Sequence, residues 1–246
     1  MKRGLAAAVM AGASLVAYER LVKPWQQRWG ATDEELTMPL PGDERVAEPA
    51  TQVTRAITID AAGQRVWPWI VQLGADRGGF YSYDWLENLF GLGIESAHNI
   101  VEAWQDLGVG DVVYANRARS GGWYVVVLRP NEALVLKVAD LAAGRPVCRD
   151  EHLKWEFLWT FALRPTAGGG TRLLVRERVA FDCALTRRLM APVDLVSFVM
   201  TRRMMLGIKA RAEGRLGPAG DRPAGGRRAR RPANKPAVGA YRCKAS

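Results

Sequence analysis

Motifs that carry chemistry are scarce in this chain. Only two histidines, His98 and His152, and three cysteines, Cys148, Cys183 and Cys243, occur in 246 residues. Neither histidine falls in a recognised metal-ligand motif, so no metal site is defined. The cysteines are an odd set without a CxxC, which argues against a zinc ribbon or a disulfide framework and suits a reducing compartment. A Gly-rich phosphate loop and a nucleophile elbow are also missing. No metal or cofactor is therefore expected.

A long apolar run is missing too. Residues 5–18, LAAAVMAGASLVAY, give fourteen positions before Glu19-Arg20 interrupts them, against the roughly 20 that a spanning helix needs. With Met1-Lys2-Arg3 in front, the segment 1–30 fits a membrane anchor or interfacial helix, a cleaved signal without a clear cleavage site, or a soluble packing helix. The other end lacks acid. From Arg222 to Ser246 there are eight basic residues and no acidic one, so most of the +10 formal charge belongs to this tail. Rich in Pro, Gly and Ala, residues 215–246 cannot offset their ordering entropy and are expected to be disordered. Such a tail can hold anionic lipid headgroups or simply be solvated. Nucleic acid is not the expected partner, and the oligomeric state stays open. The expected location is cytoplasmic or membrane-associated rather than secreted.

Between these ends, 48% hydrophobic residues suffice for one cored domain. Residues 31–50, ATDEELTMPLPGDERVAEPA, read as an acidic linker, and the domain is expected over 51–214. It opens with a strand in which Val53, Ile57 and Ile59 alternate with Thr54 and Thr58, with Arg55 on the otherwise apolar face. Asp60 is the expected N-cap of a helix carrying Val66, Trp67, Ile70 and Val71 at helical spacing, with Pro68 tolerated only near its start or at a kink. A second short helix is expected over residues 83–92, with Trp85, Leu86, Leu89 and Phe90 inward and Asp84, Glu87 and Asn88 on its polar side. About five strands follow. In KWEFLWTFAL, Trp155, Phe157, Trp159 and Phe161 share the one apolar face, and PTAGGG makes the clearest hairpin. A helix over residues 192–213 carries a stripe of Val193, Val196, Met200, Met204 and Ile208. These elements predict an α+β fold whose sheet curls round the last helix.

The stretch RGGFYSYDWLENLFGLG, residues 77–93, is too rich in aromatics and charge for a plain linker. Asp84, Glu87 or His98 can supply a general acid or base, with Arg77, Tyr81 or Tyr83 polarising a carbonyl; the same carboxylates can equally face water. Arg55 and Glu177 sit on inward strand positions and, if buried, need each other or a ligand as partner. Met200, Met204 and Met205 suit an adaptable pocket wall or ordinary core.

The run ITIDAAGQRVWPWIVQLGADRGGFYSYDWLENLFGLGIESAHNIVEAWQDLGVGD, with PWQQRWGATDEE before it, resembles the START-related SRPBCC superfamily, in particular a bacterial polyketide cyclase/dehydrase-type subgroup. The resemblance spans roughly residues 24–213. It implies a helix-grip fold: a curved antiparallel sheet wrapped round a long C-terminal helix, two short helices after the first strand, and a cavity for an apolar ligand between them. Gly78-Gly79 would then serve a gate, and the ligand contacts would be Arg77, Tyr81, Tyr83, Asp84, Trp85, Glu87, His98, Trp159, Met200 and Met204. The implied function is binding or transfer of a lipid or polyketide-like molecule. Alternatives are a cyclase or dehydratase, and a structural or stress-related protein without an open pocket.

Overall fold

Strand β1 (Thr51–Ile59) is followed by helices α3 (Gly63–Val71) and α4 (Asp84–Leu89), then by strands β2 (Val112–Tyr114), β3 (Gly122–Arg129), β4 (Ala133–Asp140), β5 (Arg145–Pro146), β6 (Trp155–Pro165) and β7 (Thr171–Phe181). Helix α5 (Ala184–Ala212) ends the fold; α1 (Lys23–Gln27) and α2 (Asp33–Thr37) precede β1. This computed structural model describes residues 10, 13, 16–147 and 155–216. His152, Cys148, Cys243, most of the apolar N-terminal run and the basic tail lie outside the described residues.

The strands pair antiparallel in the order β1-β7-β6-β4-β3-β2, with β5 beside β4. The expected hairpin is present, closing with Pro165 opposite Thr171. Ile59, Val125, Leu136, Phe161, Leu173 and Val175 on the concave face join Val66 and Ile70 of α3 and Met204, Met205 and Ile208 of α5 in one core. A curved antiparallel sheet gripping a long C-terminal helix is the helix-grip architecture.

The concave side also buries an ion pair. Arg55 donates to Glu177 Oε1 at 2.8 Å, and Glu177 further accepts from Ser197 Oγ at 2.8 Å and Thr201 Oγ1 at 2.9 Å of α5. Arg55 Nε donates to the carbonyl of Gln26 at 3.1 Å. The two inward charges thus partner each other, and the remaining lone pairs and donors go to the helices on either side.

Four expectations need correction. Residues 31–47 are not a linker ahead of the domain but a strap over the convex face of the sheet. A capping box on Thr32 and Glu35 starts α2, Leu40 packs on Ala162 and Leu174, and Val46 on Val135 and Leu158. Arg176 donates to Asp43 at 2.6 Å and Arg172 to Glu35 at 2.7 Å. The second face of β6 is also covered: Glu156, Leu158 and Thr160 are buried under the strap side, where Lys137 pairs with Glu156 at 2.8 Å, while Trp155, Phe157 and Trp159 opposite are half-buried. The N-cap of α3 is Ala62, two residues beyond Asp60, whose backbone N–H donates to Glu213 Oε1 at 2.7 Å, and Pro68 lies inside the helix. Helix α5 begins at Ala184 rather than at Pro192, since ALTRRLM contains good helix formers that extend it upstream. Its stripe is buried only in the C-terminal half: Met204 and Ile208 are core, but Val193 and Val196 are exposed.

Candidate functional site

The segment 77–96 turns back on itself between α3 and β2, and its glycines permit that packing. Gly79 has φ +71°, and a Cβ there would lie 2.8 Å from the carbonyl oxygen of Glu95; one on Gly78 would lie 2.8 Å from that of Gln72. Backbone bonds fix both: Gly79 N–H to Gly74 O at 2.9 Å and Gly78 N–H to Gln72 O at 2.8 Å. These glycines allow close approach of two backbones. They are not the free hinge of a gate.

Helix α4 has the opposite phase to the one expected. Asp84 accepts from Ser96 Oγ at 2.6 Å and Ser96 N at 2.8 Å, and Asn88 brackets Ile94 with bonds to its N–H and carbonyl at 2.7 and 2.9 Å. Residues 84, 87 and 88 share one helix face, so once Asp84 and Asn88 satisfy the backbone of residues 94–96, Glu87 must turn inward. Trp85, at 68% exposure, and Leu89 and Phe90 turn out to solvent. Three of the four apolar residues expected in the core form the outer surface, Leu86 is half-buried, and Glu87, expected on the polar side, is 4% exposed.

Glu87 lines a cavity of about 200 Å³ between α4, the sheet and α5. Phe80, Leu92, Trp123 and Trp159 form one side of it, and Met200, Thr201 and Met204 of α5 the other. Ser82 at its edge donates to the Met200 carbonyl at 3.2 Å, tying residues 77–96, the lid of this cavity, to α5. The rings of Phe80, Trp123 and Trp159 form a triangle, with centroids 6.0, 5.4 and 6.3 Å apart. Two polar atoms in these walls are buried without a hydrogen-bond partner among the described residues: Glu87 Oε2 and Trp159 Nε1. Burial, followed by the nearby charge of Asp84, pushes the Glu87 carboxyl up to about 7. A shallow depression of about 500 Å³, open to solvent and with Asp84, Asn88, Glu95 and Arg117 on its walls, adjoins it at Ile94.

Of the residues expected to contact a ligand, Glu87, Trp159, Met200 and Met204 line this cavity. The other six lie elsewhere. Arg77 donates to the Val71 carbonyl at 3.1 Å, closing the end of α3. Tyr81 is core, with Arg211 4.5 Å over its ring and Trp69 at its edge, and desolvation raises its phenol beyond the usual range. Tyr83 precedes α4 under Arg203, Asp84 is the clamp on Ser96, and Trp85 and His98 are exposed. Phe80, Leu92, Trp123 and Thr201 were not anticipated. Trp123 carried a usable signal, being an aromatic at the start of an apolar strand beside a double glycine.

No family model matches the chain, and no curated protein is similar to it. Similar solved structures include a protein from Arthrobacter aurescens, 18% identical over 66% of this chain and 86% of that one, with TM-score 0.39. Another, from Chromobacterium violaceum, is 14% identical over 66% and 96%, with TM-score 0.38. The Aha1 dimer from Colwellia psychrerythraea is 14% identical over 66% and 96%, with TM-score 0.34. The fold assignment stands on the sheet order and helix placement described above.

Proposed function

We propose that the protein binds a small apolar molecule in the cavity between α4, the sheet and α5. The supporting observation is the wall itself: aromatic and methionine side chains around open space, with a few convergent polar atoms, which is how small-molecule sites are built. The test is gentle purification of the full chain, release of bound material by denaturation and mass spectrometry, followed by titration with an apolar fluorescent probe. One apolar species or probe per chain is the expected outcome. An empty protein that binds no probe would leave the structural, pocketless reading.

Glu87 favours a second reading. A carboxyl held near neutrality can take up and release a proton, as cyclisation or dehydration of a polyketide-like substrate requires. Turnover of a poly-β-ketone by the full chain, lost in Glu87→Gln, would select that reading.

A membrane surface is proposed as a further partner. Leu21 is 72% and Trp25 53% exposed, Leu195, Val196 and Val199 are exposed on α5, and the Trp25 ring meets Phe198 at 5.3 Å, which joins the two sets. No helix among the described residues is long and apolar enough to cross a membrane, so attachment would be interfacial. Cosedimentation with anionic vesicles, reduced in Trp25→Ser, is the expected result; equal sedimentation of both proteins would remove the surface from consideration.

A further inference from the structure

Three buried glutamates occur among the described residues: Glu156, Glu177 and Glu87. Lys137 balances the first and Arg55 the second. Glu87 Oε2 is buried without a hydrogen-bond partner, and no ion pair meets this carboxyl among the described residues, although its side chain is as inaccessible as theirs. Burying an ionised carboxylate is costly unless something positive meets it, so the balancing charge has to be a proton or an incoming group.

The protein does not supply that charge from the cavity wall. No Lys, Arg or His lines the cavity. Two cations of α5, Arg203 and Arg211, lie over rings that are not part of the wall, Tyr83 and Tyr81. What the wall does offer is the triangle of Phe80, Trp123 and Trp159, whose π-faces attract positive charge. A carboxylate beside three aromatic rings is complementary to a cation with an apolar body. At about 200 Å³ the cavity is smaller than the roughly 300–1,000 Å³ of sites for drug-sized ligands, so that body is small.

We infer that the cavity takes a small apolar amine, its ammonium group paired with Glu87 and its body, one ring or a short branched chain, resting on Phe80, Trp123 and Trp159. The inference rests on the binding reading above and names the chemical class of the ligand.

Three probes with one body and different heads test it: phenylbutylamine, phenylbutanol and phenylbutyrate, titrated calorimetrically into the full chain at about pH 8, where Glu87 is mostly ionised. The amine is expected to bind tightest, by roughly tenfold or more over the alcohol, and the carboxylate weakest. Glu87→Gln should erase the advantage of the amine over the alcohol, and unfold at no lower temperature than the natural chain. Equal binding of the alcohol, or an amine preference that survives Glu87→Gln, overturns the inference while leaving the cavity reading intact. If none of the three binds although an apolar fluorescent probe does, the inference alone falls; if the probe fails too, the binding reading falls with it.

Discussion

The sheet and the lid treat buried charge in opposite ways. On the sheet, Arg55, Arg176 and Lys137 are each almost inaccessible, and each meets a carboxylate at 2.6–2.8 Å together with a backbone carbonyl. In the lid, Glu87 is equally inaccessible and meets nothing charged of opposite sign. Saturated pairs hold elements together, here β1 to β7 and α5, and the strap to the convex face. An unsaturated carboxyl holds nothing together and lowers stability whenever it ionises. Its presence beside a cavity is therefore better explained by what enters than by what folds.

Glu177→Ala should break this contrast most severely. It leaves Arg55 buried without its carboxylate, and such losses cost about 3–5 kcal/mol; urea unfolding of the variant checks it. Glu87→Gln should act in the opposite sense. The Glu87 carboxyl is raised from 4.5 to about 7 in the folded chain, so the folded state binds more protons than the unfolded one between those values. Its contribution is fully present below about pH 4.5 and is lost as pH rises through about 7, a loss of about 3 kcal/mol at alkaline pH. Of the described groups around it, only Asp84, on the same helix, adds charge; α5 and the sheet present Met200, Thr201, Trp123 and Trp159, none of which titrates in this range. Glu87→Gln should therefore gain stability at pH 8 and flatten this part of the pH profile, and a variant less stable than the natural chain at that pH would refute the assignment.

Gly207→Ala comes next. A Cβ there would sit 2.4 Å from the carbonyl oxygen of Tyr81, so α5 must back away from the lid segment at a cost of about 1–3 kcal/mol. Faster hydrogen exchange in residues 80–96 is the expected signature. Trp85→Ala should change stability least, by no more than about 0.5 kcal/mol, because its ring is already in solvent. A larger loss in thermal unfolding would mean that the outer face of the lid is covered in solution.

Long periodic segments made the fold legible. Alternation along β6 and β1 and the Met204–Ile208 spacing in α5 each depend on one period repeated often enough to set the phase. The strap was not legible, because ATDEELTMPLPGDERVAEPA has the composition of a linker and its partners, Arg172, Arg176 and Arg178, lie at the far end of the domain. At the site, Trp159, Met200 and Met204 could be read from their strand and helix faces. Glu87 was named for its residue type but assigned to the wrong side. Six residues of α4 are too few for hydrophobic periodicity to set the phase, which the backbone of residues 94–96 sets instead through Asp84 and Asn88.

Helix α5 is held unevenly along its length. Near its C-terminus Lys209 reaches the Thr58 carbonyl, Arg211 donates to the Ala97 carbonyl at 2.8 Å, and Glu213 takes the Asp60 N–H. Toward the other end, beyond Met200, apolar side chains stand in solvent. Mechanically the C-terminal half is an anchor, with Gly207 pressed against Tyr81. The half over the cavity rests on a few side-chain ties, Ser82 to Met200, Ser197 and Thr201 to Glu177, and Trp25 against Phe198, so the cavity wall is the most lightly fastened part of the helix.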